Sequence, residues 1–392
     1  MIFKKILSVL SLIFVLNECY PQFSDNHINN FQKKIIEEEI TGSNVALVYR
    51  ENKIVYYNIE NSLKKGDKSI DSETIFPIWS MSKPITIVAI MTLHEKGLID
   101  FDDLVSKYIP SFDKLLCEND DGSIYKCKKK LKIIHLMNHT SGFKYYDDYY
   151  IEALASETLE DFVSKISKHP LEFEPGEKYL YGINQSILGR IIEVVSGQLF
   201  YDYLKEVIFD PLEMKDTKFY LTEDDEDHFQ PLFINNGIIK GFSDEGITGK
   251  GDILTYDINK KVHLGGEGLV STFMDYFKFC RMLLNGGSYD GRKIISQESI
   301  DMMVQKQTDG YPYEDKSFVD LVGFYNAFSL FVLEEPINGL NASIGIFGWA
   351  GYHNTVFWID QEKSMFALFM SRSLPSNWRM KKRFMKAVYE EY

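Results

Sequence analysis

Residues 43–60 read SNVALVYRENKIVYYNIE, two runs rich in Val, Ile and Tyr on either side of a polar break at Arg50, Glu51 and Asn52. Such composition around such a break predicts two strands joined by a tight turn. The next strand-like runs lie at the far end of the chain. FYNAFSLFVL (324–333), NASIGIFGW (341–349), HNTVFWID (353–360) and SMFALFMSR (364–372) follow one another, and the short turns between the last of them predict antiparallel pairing. Strands at both ends imply one sheet built from both termini. The segment from about 98 to 260 is mostly helical and loop-like and becomes an inserted lobe. The expected fold is therefore α/β of the α+β type: an antiparallel sheet flanked by helices, with a cleft at the lobe boundary, where ligand sites concentrate. STFMDYFKFCRMLLNGG (271–287) reads as a helix capped by Ser271 or Thr272 and stopped by Gly286 and Gly287, and SNWRMKKRFMKAVYEEY (376–392) reads as a closing helix.

The remaining composition bounds the function. The chain has 392 residues, 45% of them hydrophobic, and a net charge of −14. No basic stripe offers a footprint for nucleic acid, so no nucleic-acid partner is expected. Lys4 and Lys5 precede the apolar run ILSVLSLIFVL (6–16), the pattern of a secretory signal peptide. That run is short of the ~20 residues of a membrane span. A signal over about 1–22 followed by one domain over 30–392 is expected, which makes the protein exported: periplasmic, secreted or cell-surface. Cys19 is a candidate lipid-attachment site, although Glu18 before it fits that signal poorly. Export permits disulfides. Cys117 and Cys127 bracket a turn-forming Asp-Gly pair, so either a bridge or two free thiols is open, whereas Cys280 sits at helical spacing as a buried thiol. No His or Cys cluster has metal-ligand spacing, and neither a metal nor a cofactor is expected.

Chemistry enters at IWSMSKPITIVAIMTL (78–93). Serine needs a neighbouring base to act as a nucleophile, and a lysine can serve. On a helix, residues three apart share a face, which joins Ser80 to Lys83 and leaves Ser82 turned away. The same spacing recurs at Ser62–Lys65, Ser111–Lys114 and Ser123–Lys126, all in polar or turn-rich sequence. Only the copy at Ser80 opens a run that is apolar all round, hence a buried helix, in which a lysine is costly unless partnered. A plain helix cap is the alternative reading of Ser80. FEPGEKYLYGINQSILGRIIEVVSG (173–197) sets Tyr181 in a turn before a helix, where a phenol facing a lysine could take the serine proton. A packing aromatic is its alternative. FGWAGYHNTVFWID (347–360) carries Trp349, Ala350 and Gly351 into a strand, small residues that let backbone approach a ligand.

Taken together, IWSMSKPIT, LMNHTSGF (136–143), PGEKYLYG with LGRIIEVVSG, GGEGLVSTFMDYFKFCRMLLNGG (265–287) and FGWAGYHNTVFWID resemble, in order, the serine beta-lactamase-related superfamily, in particular its class C branch and esterase relatives. The resemblance runs from about residue 35 to the C-terminus. It implies Ser80 as the acylated nucleophile, Lys83 as its activator, Tyr181 as proton relay and deacylation base, and the backbone amides of Ser80 and Tyr352 as oxyanion hole, with Trp349, Ala350 and Gly351 along the substrate. Trp349 stands where the lactamases have the lysine of K-T-G, and Ile183 stands two after the tyrosine where they commonly have asparagine, with Asn184 one step later. Both departures lean toward a small ester over a beta-lactam. The Tyr-rich KYYDDYY (144–150) reads as a solvated loop, with a place bordering the cleft as its alternative, and His353 as a strand-edge residue near the oxyanion site, with contact to substrate as its alternative. The leading expectation is an exported, esterase-type serine hydrolase acting on a small ester or amide. A beta-lactamase or D-amino-acid peptidase is the second, and an inactive peptidoglycan- or peptide-binding protein the third. Retention of Ser80, Lys83 and Tyr181 together argues against the last.

Overall fold

The computed structural model describes residues 26–242, 254, 256–309 and 321–392. The expected signal segment and Cys19 lie outside the described residues. Strands β1 (Asn44–Arg50) and β2 (Lys53–Glu60) form the predicted hairpin, with Glu51 and Asn52 both at positive φ in its turn. The C-terminal strands are β3 (Phe324–Asn326), β4 (Phe331–Leu333), β5 (Phe347–Ala350), β6 (Val356–Asp360) and β7 (Met365–Ser371). They join in the order β3-β4-β5-β6-β7-β1-β2, antiparallel throughout. The termini thus meet at β1 and β7, in register from Asn44 opposite Ser371 to Arg50 opposite Met365.

The run 324–333 is not one strand. The chain reverses at Ser329, whose φ is +52° and whose hydroxyl donates to the carbonyl of Met137. A side-chain bond to a distant loop therefore overrides local strand propensity.

Every residue of β7 is buried because both faces of the sheet are covered. Helices α1 (His27–Glu37) and α5 (Trp378–Glu391) cover one face, where Phe31, Phe369 and Phe384 cluster with ring centroids 5.3–5.8 Å apart. On the other face lies α4 (Phe273–Leu284), whose Phe277 meets Phe366 at 5.4 Å. Phe366 and Phe369 point oppositely, as the two-residue period of a strand requires. Thr272 caps α4 by accepting the amide of Asp275.

Between sheet and lobe runs α2 (Ser82–Glu95), buried from Ser82 to Leu93. It packs against α3 (Asn184–Ser196) of the lobe, which ends at Gly197 in the left-handed conformation. The Cys117–Cys127 disulfide closes a small hairpin, Leu116–Glu118 with Ile124–Lys126, and Cys280 is a buried free thiol. Among the described residues no helix is long and apolar enough to cross a membrane.

Candidate active site

Helix α2 is preceded by a single 3-10 turn, Trp79–Met81, that holds Ser80. The helix cap position is Met81, without a side-chain cap bond, so Ser80 is not an N-cap. Trp79 has φ of +47°, a costly conformation for a bulky residue. Its contacts help to hold it: its indole N–H donates to His353 Nδ1 at 2.9 Å, and Tyr352 packs edge-on at 5.3 Å. His353 is therefore part of the wall behind the turn. Burial, reinforced by the charge of Arg372, holds its imidazole well below the usual histidine range, in the neutral form that accepts this bond.

Three of the sequence-derived residues converge. Ser80 Oγ is 2.7 Å from Tyr181 Oη, and Lys83 Nζ donates to Ser80 Oγ at 3.1 Å. Lys83 Nζ also sits 4.8 Å from the centroid of the Tyr181 ring. Ser82, by contrast, is fully buried and accepts the amide of Leu269 at 3.3 Å. Lys83 has no exposed surface, and its remaining contacts explain how a buried ammonium is tolerated. It donates to the carbonyl of Gly266 at 2.8 Å and to Tyr145 Oη at 3.2 Å, and lies 3.8 Å from the carboxylate of Glu267. Tyr145 Oη in turn donates to Glu267 at 3.1 Å. Burial first, then the charge of Glu267, keeps the Tyr145 hydroxyl well above its usual pKa and so protonated.

Tyr181 is fixed by the loop 136–143. His139, at φ +58°, faces the Tyr181 ring at 4.9 Å, and its Nδ1 meets Asn184 Nδ2 at 2.8 Å. Burial and the charge of Lys83 hold His139 neutral. Asn184 also accepts from Ser141 at 2.5 Å, so the asparagine near the tyrosine is committed to the scaffold, and Ile183 is buried. Gly182 is required here: a Cβ would meet the carbonyl of Phe143 at 2.0 Å.

Strand β5 forms the far wall. The Trp349 ring lies 5.9 Å from that of Tyr181 and 6.1 Å from that of Phe331. At Gly351 a Cβ would meet Thr355 Oγ1 at 2.2 Å and the carbonyl of Ile78 at 2.5 Å. The glycine is what lets the end of β5 lie against the backbone that carries Ser80. Ser80, Tyr181, Trp349, Ala350, Gly351 and Tyr352 line one cavity of about 380 Å³, bordered also by Pro375 and Ser376 just before α5 and by Trp378 and Lys381 in its first residues. Among the described residues the one cluster with metal-ligand proximity is Cys117, Cys127 and Glu174, whose sulfurs are spent in the disulfide.

A model of the family described as "Beta-lactamase" matches residues 28–389. The chain belongs to the beta-lactamase family. Among its relatives is a protein of Escherichia coli (strain K12) named "Putative D-alanyl-D-alanine carboxypeptidase", 27% identical, with 91% of this chain and 85% of that protein covered. Another, Rv1367c of Mycobacterium tuberculosis, is 24% identical over 88% of each chain. Among solved structures, EstCE1, a hydrolase with promiscuous acyltransferase activity, superposes with a TM-score of 0.73 at 21% identity, covering 93% of this chain and 97% of its own. The simvastatin synthase LovD from Aspergillus terreus does so with 0.75 at 19% identity, covering 93% and 98%. These two show the fold: the beta-lactamase/transpeptidase-like arrangement of helices and antiparallel sheet. Membership makes this beta-lactamase-family chain a hydrolase of the serine beta-lactamase fold.

Several residues of the site escape sequence reasoning. The stretch 144–150 is not a solvated loop: Tyr145 reaches Lys83, Tyr149 is fully buried against Ser186, and Tyr150 packs edge-on to Trp79 at 6.3 Å. Glu267 and Lys381 were equally silent. The density of aromatics in 144–150 was the available signal, outweighed by its two aspartates.

Proposed function

We propose that the chain is an exported serine hydrolase that cleaves small esters through an acyl-enzyme on Ser80. The observation that carries this reading is the contact triangle of Ser80, Lys83 and Tyr181, two of whose members line a cavity shared with the rings of Trp349, Tyr352 and Trp378. Ser80 Oγ attacks the ester carbonyl carbon as its proton passes to the phenolate oxygen of Tyr181, 2.7 Å away, the form in which this reading has Tyr181 enter each half-reaction. The Lys83 ammonium, bonded to Ser80 and facing the Tyr181 ring, favours negative charge on either oxygen as the proton moves. In this reading the tetrahedral oxyanion is received by the amides of Ser80 and Tyr352, a pairing supported by the close approach of Gly351 to the Ile78 carbonyl. Collapse breaks the carbonyl–alkoxy bond, and the departing alcohol takes the proton from Tyr181. Water then attacks the acyl-enzyme, gives a proton to Tyr181, and Ser80 leaves reprotonated.

Ester over beta-lactam or D-amino-acid amide is supported by Trp349 beside Tyr181 and by the commitment of Asn184 to His139 and Ser141, which leaves no side-chain amide there to read a substrate amide. The name of the E. coli relative supports the peptidase alternative. The test is turnover of a short-chain nitrophenyl ester, a chromogenic beta-lactam and a D-alanyl-D-alanine peptide by wild type and Ser80→Ala. Ester turnover lost in the variant is the expected result. Turnover of the peptide or lactam alone would overturn the ester reading. Silence toward all three, with no labelling by a serine-reactive phosphonate, would favour a binding protein.

A further inference from the structure

Lys381, on the second turn of α5, lines the same cavity as Ser80 and is only 3% exposed. Its ammonium donates to Ser376 Oγ at 3.0 Å and, at the long distance of 3.4 Å, to the carbonyl of Gly351. The Trp378 ring lies beneath it, 4.6 Å away. All of these partners are uncharged. Among the described residues no carboxylate pairs with Lys381, and two acceptors leave one of its three N–H donors unused. Buried charges are ordinarily paired, and an unpaired one beside a cavity is an incomplete ion pair. The contrast with Lys83, buried behind the cavity against Ser80, is direct, since that lysine has Glu267 nearby.

We propose that Lys381 is the receptor for a carboxylate carried by the substrate, so that the preferred esters are monoanions with the acid remote from the scissile bond. This rests on the ester reading above and narrows its substrate class. The walls suit such a molecule: Tyr181, Trp349 and Trp378 pack against its apolar body, and the single cation sits at the α5 side of the cavity. Burial brings Lys381 down to about 7, so it is half-charged near neutrality, and an incoming carboxylate would complete its protonation. A receptor that gains its full charge on binding discriminates between an anionic ester and its neutral isostere.

The experiment compares two acid esters with their primary-amide counterparts: mono-p-nitrophenyl adipate, with the acid on the acyl side, and 4-(butyryloxy)benzoate, with the acid on the alcohol side. The expected result is that kcat/KM of wild type for at least one acid exceeds that of its amide by about tenfold or more. That ratio should collapse toward one in Lys381→Met and persist in Lys381→Arg. Equal rates for acid and amide in wild type overturn the proposal without any variant, as does a ratio that Lys381→Met leaves unchanged. If wild type hydrolyses neither pair, the ester reading fails separately. Calorimetry with adipate then still decides the matter: binding by wild type and Lys381→Arg but not by Lys381→Met supports the receptor, and no binding by wild type refutes it.

Discussion

The hydroxyls of Ser80 and Tyr181, 101 residues apart in the chain, lie 2.7 Å from each other, while Ser82 bonds the Leu269 amide on the other side of the same turn. On the proposed mechanism the two serines therefore have different roles. Ser80→Ala should lower ester turnover by several orders of magnitude with little change in stability. Ser82→Ala should keep most turnover and lose about 1 kcal/mol, the worth of one buried hydrogen bond. A kinetic assay beside urea melts reads both. Comparable loss of turnover in the two variants would refute the assignment.

Tyr181→Phe preserves the ring that packs on His139 and Trp349 and removes only the oxygen. The expected consequence is a fall in kcat of roughly 10²–10⁴, the range for a lost acid–base group, with an unchanged melting temperature. A variant that keeps more than a tenth of wild-type kcat would transfer the proton-carrying role to another group.

Gly351→Ala adds a methyl group that meets the Ile78 carbonyl and Thr355 at sub-van-der-Waals distance. The end of β5 must retreat from Ser80. We expect destabilisation of about 1–3 kcal/mol and a fall in kcat larger than any rise in KM, because the oxyanion is felt in the transition state. Calorimetric melting and steady-state kinetics on the same preparation would detect both, and wild-type values for both would mean that the approach at Gly351 does not shape the site.

Glu267→Gln leaves Lys83 without its nearby carboxylate while keeping the shape of the side chain. Removing one partner of a buried pair is costly, so a loss on the order of 3 kcal/mol is expected. Chemical denaturation measures it. A loss below 0.5 kcal/mol, set against an uncertainty of ~10% in such extrapolations, would show that Gly266, Tyr145 and Ser80 alone satisfy the ammonium.

Lys381 has a stability signature of its own. Its folded-state value is near 7 against 10.5 when unperturbed, so the unfolded chain binds this proton more tightly. The lysine's contribution therefore makes stability rise with pH from about 7 to 10.5. The penalty is fully present below that window and gone above it. Lys381→Met should be the more stable protein at pH 7, by an amount on the order of a few kcal/mol, and the difference should shrink toward pH 10. Denaturant titrations of both proteins across that window isolate the effect. A variant that is less stable than wild type at pH 7 would show that Lys381 is compensated in the fold.

What was legible in the sequence follows from the range of the interactions involved. The hairpin at 43–60, the late strands and the shared face of Ser80 and Lys83 are written in periods of two and of 3.6 residues, and these were readable. The break of 324–333 at Ser329 was not, because its cause is a bond to Met137, far away in the chain. Tyr145 is hidden in the sequence because Asp147 and Asp148 give its stretch a solvated composition; those two aspartates are exposed while Tyr149 is buried. Lys381 lies in a basic run, WRMKKRF, in which periodicity alone does not say which lysine is turned inward. Only the seat of α5 on the sheet decides that.

The pairing of β1 with β7 has a consequence for how the chain is made. Asn44 leaves the ribosome long before its partner Ser371 is made. At ~5–20 residues per second, β1 waits on the order of tens of seconds for the strand that completes its hydrogen bonding. Until then the β1–β2 hairpin has an open edge, and closing the loop between β1 and β7 is the entropically demanding step. A fold that shuts only when β7 arrives keeps the long stretch between β1 and β7 threadable until that strand is made.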